Sequence, residues 1–290
     1  MGSLFSKKHR GRVGVDFGPG EVRLSWLEDG QILATERRAC DDSTQAEALQ
    51  AAVAAAAVPR GTPATTFFSA YYNEILDKRR PVELAGLSPP QQLQAVRYDA
   101  ERYVPYNLDE AHISFRVLSQ QDHETLVAVD AVAHEQRQQA ARLLRAAGLG
   151  AQSYETRLRE ALTNLVRLLY PACPSGFCIF HVDGPWVRCF GCPQGYHLAG
   201  QISGFEQRDD YLATIDRNVL YQQSKKIPIE AVYLTGSAAR DEIAEAAQSK
   251  LEVPCSALRL RLGEQSHNAA FTLAIAIALL PPDPGLSLAD

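Results

Sequence analysis

No stretch of this chain is long and apolar enough to cross a bilayer. The longest apolar run, 269–280, is broken only by Thr272. It still falls short of the roughly 20 residues a spanning helix needs, so it reads as a buried helix. Positive charge is not in excess either: 29 Lys and Arg stand against 34 Asp and Glu, a net charge of −5. No global field therefore favours nucleic acid. No hydrophobic core follows the basic start, which argues against a secretory signal and for a cytosolic chain. A Ser/His/Asp constellation is missing as well. His112, His123, His134, His181, His197 and His267 are scattered and are expected on strand edges or in solvated loops, and Asp209-Asp210 is expected to open a helix in solvent.

Matched metal knuckles are also lacking. Four of the six cysteines cluster (Cys173, Cys178, Cys189 and Cys192), but at C-x4-C and C-x2-C spacing. A tetrahedral zinc site remains open on that pattern. The competing reading is strand pairing. If Asp183-Gly184 is a two-residue hairpin turn, Cys178 lies opposite Cys189 as a small buried neighbour. A disulfide is not expected in a cytosolic chain.

What is present is enough apolar residue for a large core: 46% of 290. Residues 1–12 form a basic leader. Gly2 and Ser6 have the spacing of an acylation signal, and Leu4 and Phe5 beside Lys7, Lys8, Arg10 and Arg12 suit a weak contact with an anionic membrane. Val13 to Gly20 then reads as a strand and a tight turn carrying an Asp and two glycines. Glu21 to Leu27 returns as a second strand, and Gln31 to Arg38 makes a third. Ala46, Leu49, Val53 and Ala57 recur at helical spacing. Thr65 to Tyr71 is β-branched and aromatic, hence a strand. Ser88-Pro89-Pro90 opens a helix striped by Leu93, Val96, Ala100 and Tyr103, and Pro105 stops it. His112 to Leu118 alternates, while Leu126 to Val132 is apolar throughout, as in a strand covered on both faces. Glu135 to Ala147 is a helix capped by Gly148, and Leu158 to Leu168 is another.

A second block repeats the first. Three strands (Phe177 to Val182, Trp186 to Phe190, Tyr196 to Ile202) precede a helix, Tyr211 to Gln223. A strand ends at Leu234, and helices cover Ala238 to Lys250 and Ala269 to Leu280. The duplication predicts an α/β, actin-like (ribonuclease H-like) two-lobed fold of mixed sheets flanked by helices. The first lobe is 13–155, with an inserted subdomain near 65–135. The second lobe is 156–280, and 281–290 is a loose tail. In such a fold two hairpins cradle phosphates through backbone N–H groups, an Asp beside each orients Mg²⁺, and a Gly-containing turn holds the adenosine. The candidate contacts are Asp16, Gly18, Gly20, Asp183, Gly184, Gly236 and Ser237.

The segment Ala95-Val96-Arg97-Tyr98-Asp99-Ala100-Glu101-Arg102-Tyr103-Val104-Pro105-Tyr106-Asn107-Leu108-Asp109-Glu110 resembles the acid-rich E-x-Y-I-P-F-P-L-D-E segment of the PilM group of type IV pilus assembly proteins and its MshI-type relatives. Leu126 to Val129, Ala147-Gly148-Leu149 and Tyr233-Leu234-Thr235-Gly236 fit the same pattern. The resemblance implies a bacterial cytoplasmic scaffold, peripheral to the inner membrane, serving a type IV pilus or a related secretion system. It also implies a partner: the cytoplasmic N-terminal peptide of a PilN-like single-pass membrane protein, with other platform proteins and the assembly ATPase beyond it. Tyr103, Val104, Pro105 and Tyr106 are the candidates to shape its groove. Alternatively these residues only end a helix and pack on the next strand.

Against that family's pattern the nucleotide turns are altered. Gly18-Pro19-Gly20-Glu21 replaces a serine-rich hairpin, Pro19 removes a donor, and Glu21 brings a carboxylate towards the triphosphate. Pro185 and Trp186 crowd the second hairpin, and the adenosine turn has one glycine. The expectation is a pseudo-ATPase with no catalytic residue and no required cofactor. ATP–Mg²⁺ binding, if retained, would be weak. An active actin-like ATPase is the alternative.

Overall fold

The computed structural model describes residues 11–69, 76–104, 107–121, 124–150, 152–184, 186–192, 197–201, 208–262 and 265–280. The chain starts with β1 (Gly11–Gly18), β2 (Glu21–Glu28) and β3 (Gln31–Ala39), followed by α1 (Gln45–Ala55) and β4 (Ala64–Phe67). An insert follows: β5 (Leu76–Val82), α2 (Pro89–Ala100), a 3₁₀ turn at Leu108–Glu110, β6 (Ala111–Gln121) and β7 (Glu124–Ala133). α3 (His134–Ala146) and β8 (Gln152–Tyr154) return to the first sheet, and α4 (Leu158–Leu169) leads out of it. The second half runs β9 (Phe177–Asp183), β10 (Trp186–Cys192), β11 (His197–Gln201), α5 (Arg208–Ser224), β12 (Ala231–Thr235), α6 (Asp241–Leu251) and β13 (Cys255–Ala257). It closes with a hairpin, β14 (Leu260–Leu262) and β15 (Gln265–His267), and α7 (Thr272–Leu279).

The two five-stranded sheets have the same topology. Their orders are β3-β2-β1-β4-β8 and β11-β10-β9-β12-β13. In each, the first three strands are antiparallel neighbours and the last two join in parallel. This is the duplicated arrangement of an actin-like fold. The insert makes its own sheet, β5-β7-β6, with a separate core of Val96, Ala100, Ile113, Val127 and Val129.

The strands follow from their side-chain alternation. β9 is buried along its whole length. Phe177 and Ile179 face a core shared with the first sheet, whereas Cys178, Phe180 and Val182 face α5 and α6. That shared core is filled by α4 and α7. α7, apolar on every side, has no solvated face: Leu273, Ala274, Ile275, Ala276 and Ile277 are all buried. Its approach to β1 is close enough that a Cβ at Gly14 would stand 1.8 Å from the Ala274 carbonyl oxygen. α7 therefore seals the first sheet and packs on α4, and α4 in turn reaches β10 of the second sheet.

Several expectations need correction. β1 already begins at Gly11, inside the residues assigned to the leader. The strand expected over Thr65 to Tyr71 ends at Phe67 among the described residues. The second hairpin is closed by Asp183 paired with Trp186, so Asp183 is a strand residue rather than part of the turn. Cys178 consequently faces Gly191, and Cys189 faces Phe180. The slip is two residues, which preserves the face, and Cys178 and Cys189 remain buried in one core. β5, β8, β13, β14 and β15 are additional to the strands expected from the sequence. Pro105, Tyr106, His123, Pro185, Tyr196 and Ile202, residues 1–10 of the leader and the tail lie outside the described residues.

Candidate functional site

The first hairpin turns through Pro19 and Gly20, with φ +71° at Gly20 and Gly18 paired to Glu21. Proline followed by a left-handed glycine is what a type II turn demands. Two residues inward from the closing pair, Asp16 on β1 faces Arg23 on β2. The second hairpin repeats the register: Asp183 pairs with Trp186, and two residues inward His181 faces Arg188. Arg23 and Arg188 thus occupy equivalent places in the two sheets. Both are almost wholly buried, each 1% exposed.

Each crosses to the opposite lobe. Arg23 Nη1 donates to Asp16 Oδ2 at 2.9 Å and to Asp183 Oδ2 at 2.7 Å, and its Nη2 donates to Asp183 Oδ1 at 2.6 Å. The pair with Asp183 is the two-pronged arrangement that fits a planar guanidinium to a carboxylate. Glu21 takes the Nε side of Arg23 and in turn binds Arg37. From the second lobe, Arg188 Nη2 donates to the Ser69 carbonyl at 2.7 Å. The guanidinium of Arg23 lies so close over Gly18 that a Cβ there would stand 2.8 Å from Nη2. A side chain of the protein itself therefore fills the space between the two hairpin tips.

The charges adjust to this burial. Burial pushes the Asp16 carboxyl above its ordinary value, and the neighbouring Arg23 only partly offsets it. Burial would also raise Asp183, but His181 and Arg23 beside it outweigh that, so its carboxyl lies well below the usual range. Arg23 is held more firmly protonated than a free guanidinium: burial opposes its charge, and Asp16 and Asp183 overcome that. His181 is fully buried rather than solvated, correcting the expectation from sequence. Its Nε2 stands 3.7 Å from Asp183 Oδ2.

The third turn joins the cluster. Gly236 has φ +98°, and a Cβ there would meet the Val182 carbonyl at 2.3 Å, so only glycine fits. Ser237 Oγ donates to Asp183 Oδ1 at 2.6 Å. The backbone N–H groups of Gly236, Ala238 and Ala239 donate to Ala269, Val182 and Gly236 respectively. The structure thus gathers Asp16, Gly18, Asp183 and Ser237 around Arg23. Gly20 sits at the outer hairpin tip, where its carbonyl accepts from Cys40 N, and the Gly184 carbonyl accepts from Tyr211 Oη. Sequence reasoning placed Glu21 near the site but did not give Arg23 its role. The available signal was an arginine at an alternation position that should face inward.

Tyr103 and Val104 are half-buried against the core of the insert. Beside them in sequence, α2 and the 3₁₀ turn border a groove of about 440 Å³ lined by Gln94, Arg97, Glu101, Asn107, Leu108 and Asp109. Cys173 packs on the shared core while Cys178 and Cys189 belong to the core beneath α5 and α6. Among the described residues no three His, Cys, Asp or Glu side chains are grouped to hold a metal. No described helix is long and apolar enough to cross a membrane.

A two-lobed, actin-like body closed over its own arginine is the class these features define. No family model and no curated protein sequence matches the chain. Solved structures do. The chain shares its fold with a chain of the PilM–PilN type IV pilus biogenesis complex, at TM-score 0.70 and 17% identity, over 92% of this chain and 97% of that one. The resemblance to the PilM group in sequence is thus matched by a resemblance in fold. It is also similar to the cytoplasmic domain of EpsL, an inner-membrane component of the type II secretion system of Vibrio cholerae, at TM-score 0.52 and 11% identity, over 92% of each chain.

Proposed function

We propose that this protein is a scaffold of the inner-membrane assembly platform of a type IV pilus or related secretion system, and that its nucleotide site is degenerate. The observation that carries the second part is the seat of Arg23. A phosphate entering between the hairpins would have to displace a guanidinium held by two buried aspartates and packed on Gly18. Removing that guanidinium would leave Asp16 and Asp183 as two uncompensated carboxylates facing an anion. Both effects oppose nucleotide binding. Catalysis has no assigned base, and three amides of the third turn, those of Gly236, Ala238 and Ala239, are already engaged within the protein.

The platform role draws on the shared fold with the PilM–PilN complex chain and the EpsL cytoplasmic domain. In this reading the chain is cytoplasmic and peripheral to the inner membrane. It docks the cytoplasmic N-terminal peptide of a PilN-like single-pass protein beside Tyr103 and Val104. The groove of Arg97, Glu101 and Asp109 supplies polar partners for the peptide backbone.

Titration of a fluorescent peptide with the N-terminal sequence of the candidate partner tests this. Saturable binding, equal with and without millimolar Mg–ATP and weakened when Arg97 and Asp109 are both changed to Ala, is the expected result. No binding by the folded wild-type protein, or binding that requires ATP, refutes it.

A further inference from the structure

Helix α5 covers the outer face of the second sheet with Tyr211, Ile215 and Val219. The opposite face is exposed. Arg217, Leu220, Tyr221, Ser224 and Lys225 follow one another at three- and four-residue spacing, so they form a single stripe along the helix. Leu220 is 56% exposed, and Lys225 Nζ lies 5.4 Å from the centre of the Tyr221 ring. Asp216 is the sole acid between residues 213 and 226, and Lys250 Nζ of α6 binds it at 2.9 Å. The stripe is therefore cationic, within a chain that is acidic as a whole.

The end of the helix adds an independent observation. The N–H of Ile227 donates to the Gln222 carbonyl and that of Lys226 to the Gln223 carbonyl. This is a Schellman closure, and its left-handed residue is Lys226, with φ +59°. Glycine is the favoured residue there; this chain has a second exposed lysine instead.

The geometry points to this stripe as a contact for an anionic lipid surface, made by the second lobe directly and not through a partner. A helix face is convex. A peptide gains little from it, because peptides bind in grooves or along strand edges. A layer of headgroups moulds to it: Leu220 and the Tyr221 ring enter the interface while Arg217, Lys225 and Lys226 meet phosphates. The charge of the stripe is complementary to such a surface.

Co-sedimentation of the full chain with phosphatidylcholine vesicles, with and without phosphatidylglycerol, tests the inference. The expected result is binding only to the anionic vesicles, weakening with salt. Lys225→Glu with Lys226→Glu reduces it at least about tenfold, and Leu220→Ser with Tyr221→Ser reduces it several-fold, with thermal unfolding unchanged. A variant lacking residues 1–10 still binds. Three outcomes overturn the inference: no binding to anionic vesicles, binding indifferent to both pairs of substitutions, or binding abolished by removing residues 1–10 alone. Failure of the partner-peptide titration leaves this result unaffected, so the two readings fail separately.

Discussion

Arg23 is the residue on which the two hairpins depend, and its partners are not equivalent. Asp183 holds it by two bonds and is kept ionised, whereas burial works against the charge on Asp16. Asp183→Asn should therefore destabilise the protein by about 3–5 kcal/mol, the range for breaking a buried pair and leaving one charge behind. Asp16→Asn should cost clearly less, and urea unfolding at neutral pH compares them. The pH dependence has a definite sign. A carboxyl depressed in the folded state contributes stability above its unfolded value, near pH 4, and that stability is lost as pH falls through the lower folded value. Asp16, raised in the folded state, has the opposite sign: stability rises as pH falls from its folded value towards pH 4. Asp183→Asn should thus flatten the acid limb below about pH 4, measured by unfolding at a series of pH values. The part of this site legible in sequence was its outline, because glycines and aspartates at turns are local signals. The reach of Arg23 across 160 residues of chain to Asp183 is tertiary, and no local pattern encodes it.

At the scale of elements, the duplicated strands and the long helices followed from hydrophobic period. The short strands did not. β8 and β13 span three residues each, too few to establish a period. β5 carries Lys78, Arg79, Arg80 and Pro81 and reads as a polar loop, yet it pairs with β7 at the edge of the inserted sheet. Edge strands admit charge and proline, because one side of their backbone needs no partner. The hairpin slip at Asp183 has a testable consequence. Cys178 and Cys189 are diagonal neighbours instead of facing ones, at a separation of about 7–8 Å. That is too far for a strain-free bridge, so mild oxidation should leave both thiols free by peptide mass mapping. Cys255, with its thiol pushed up to about 11 by burial, should alkylate slowly at neutral pH in the same experiment. The contact of α7 on β1 is equally specific: Gly14→Ala drives a methyl into the Ala274 carbonyl. It should cost about 1–3 kcal/mol as an overpacked core does, read from the shift in urea midpoint.

For the molecule as a whole, the lobes share the α4–α7 core and exchange two buried arginines, Arg23 outward from the first and Arg188 outward from the second. They should unfold as one unit. The chain has two tryptophans, Trp26 on β2 and Trp186 on β10, so Trp186→Phe reports the first lobe and Trp26→Phe the second. Coincident midpoints by fluorescence are expected, allowing for the small cost of each substitution, and separated transitions would show independent lobes. A frame that closes on its own side chain has no need of a ligand to bring its halves together, which suits a docking body. Calorimetric titration of Mg–ATP into the wild-type protein tests that most directly. No heat of binding is expected up to millimolar nucleotide; a saturable, one-to-one isotherm in the micromolar range would overturn the closed, ligand-independent frame.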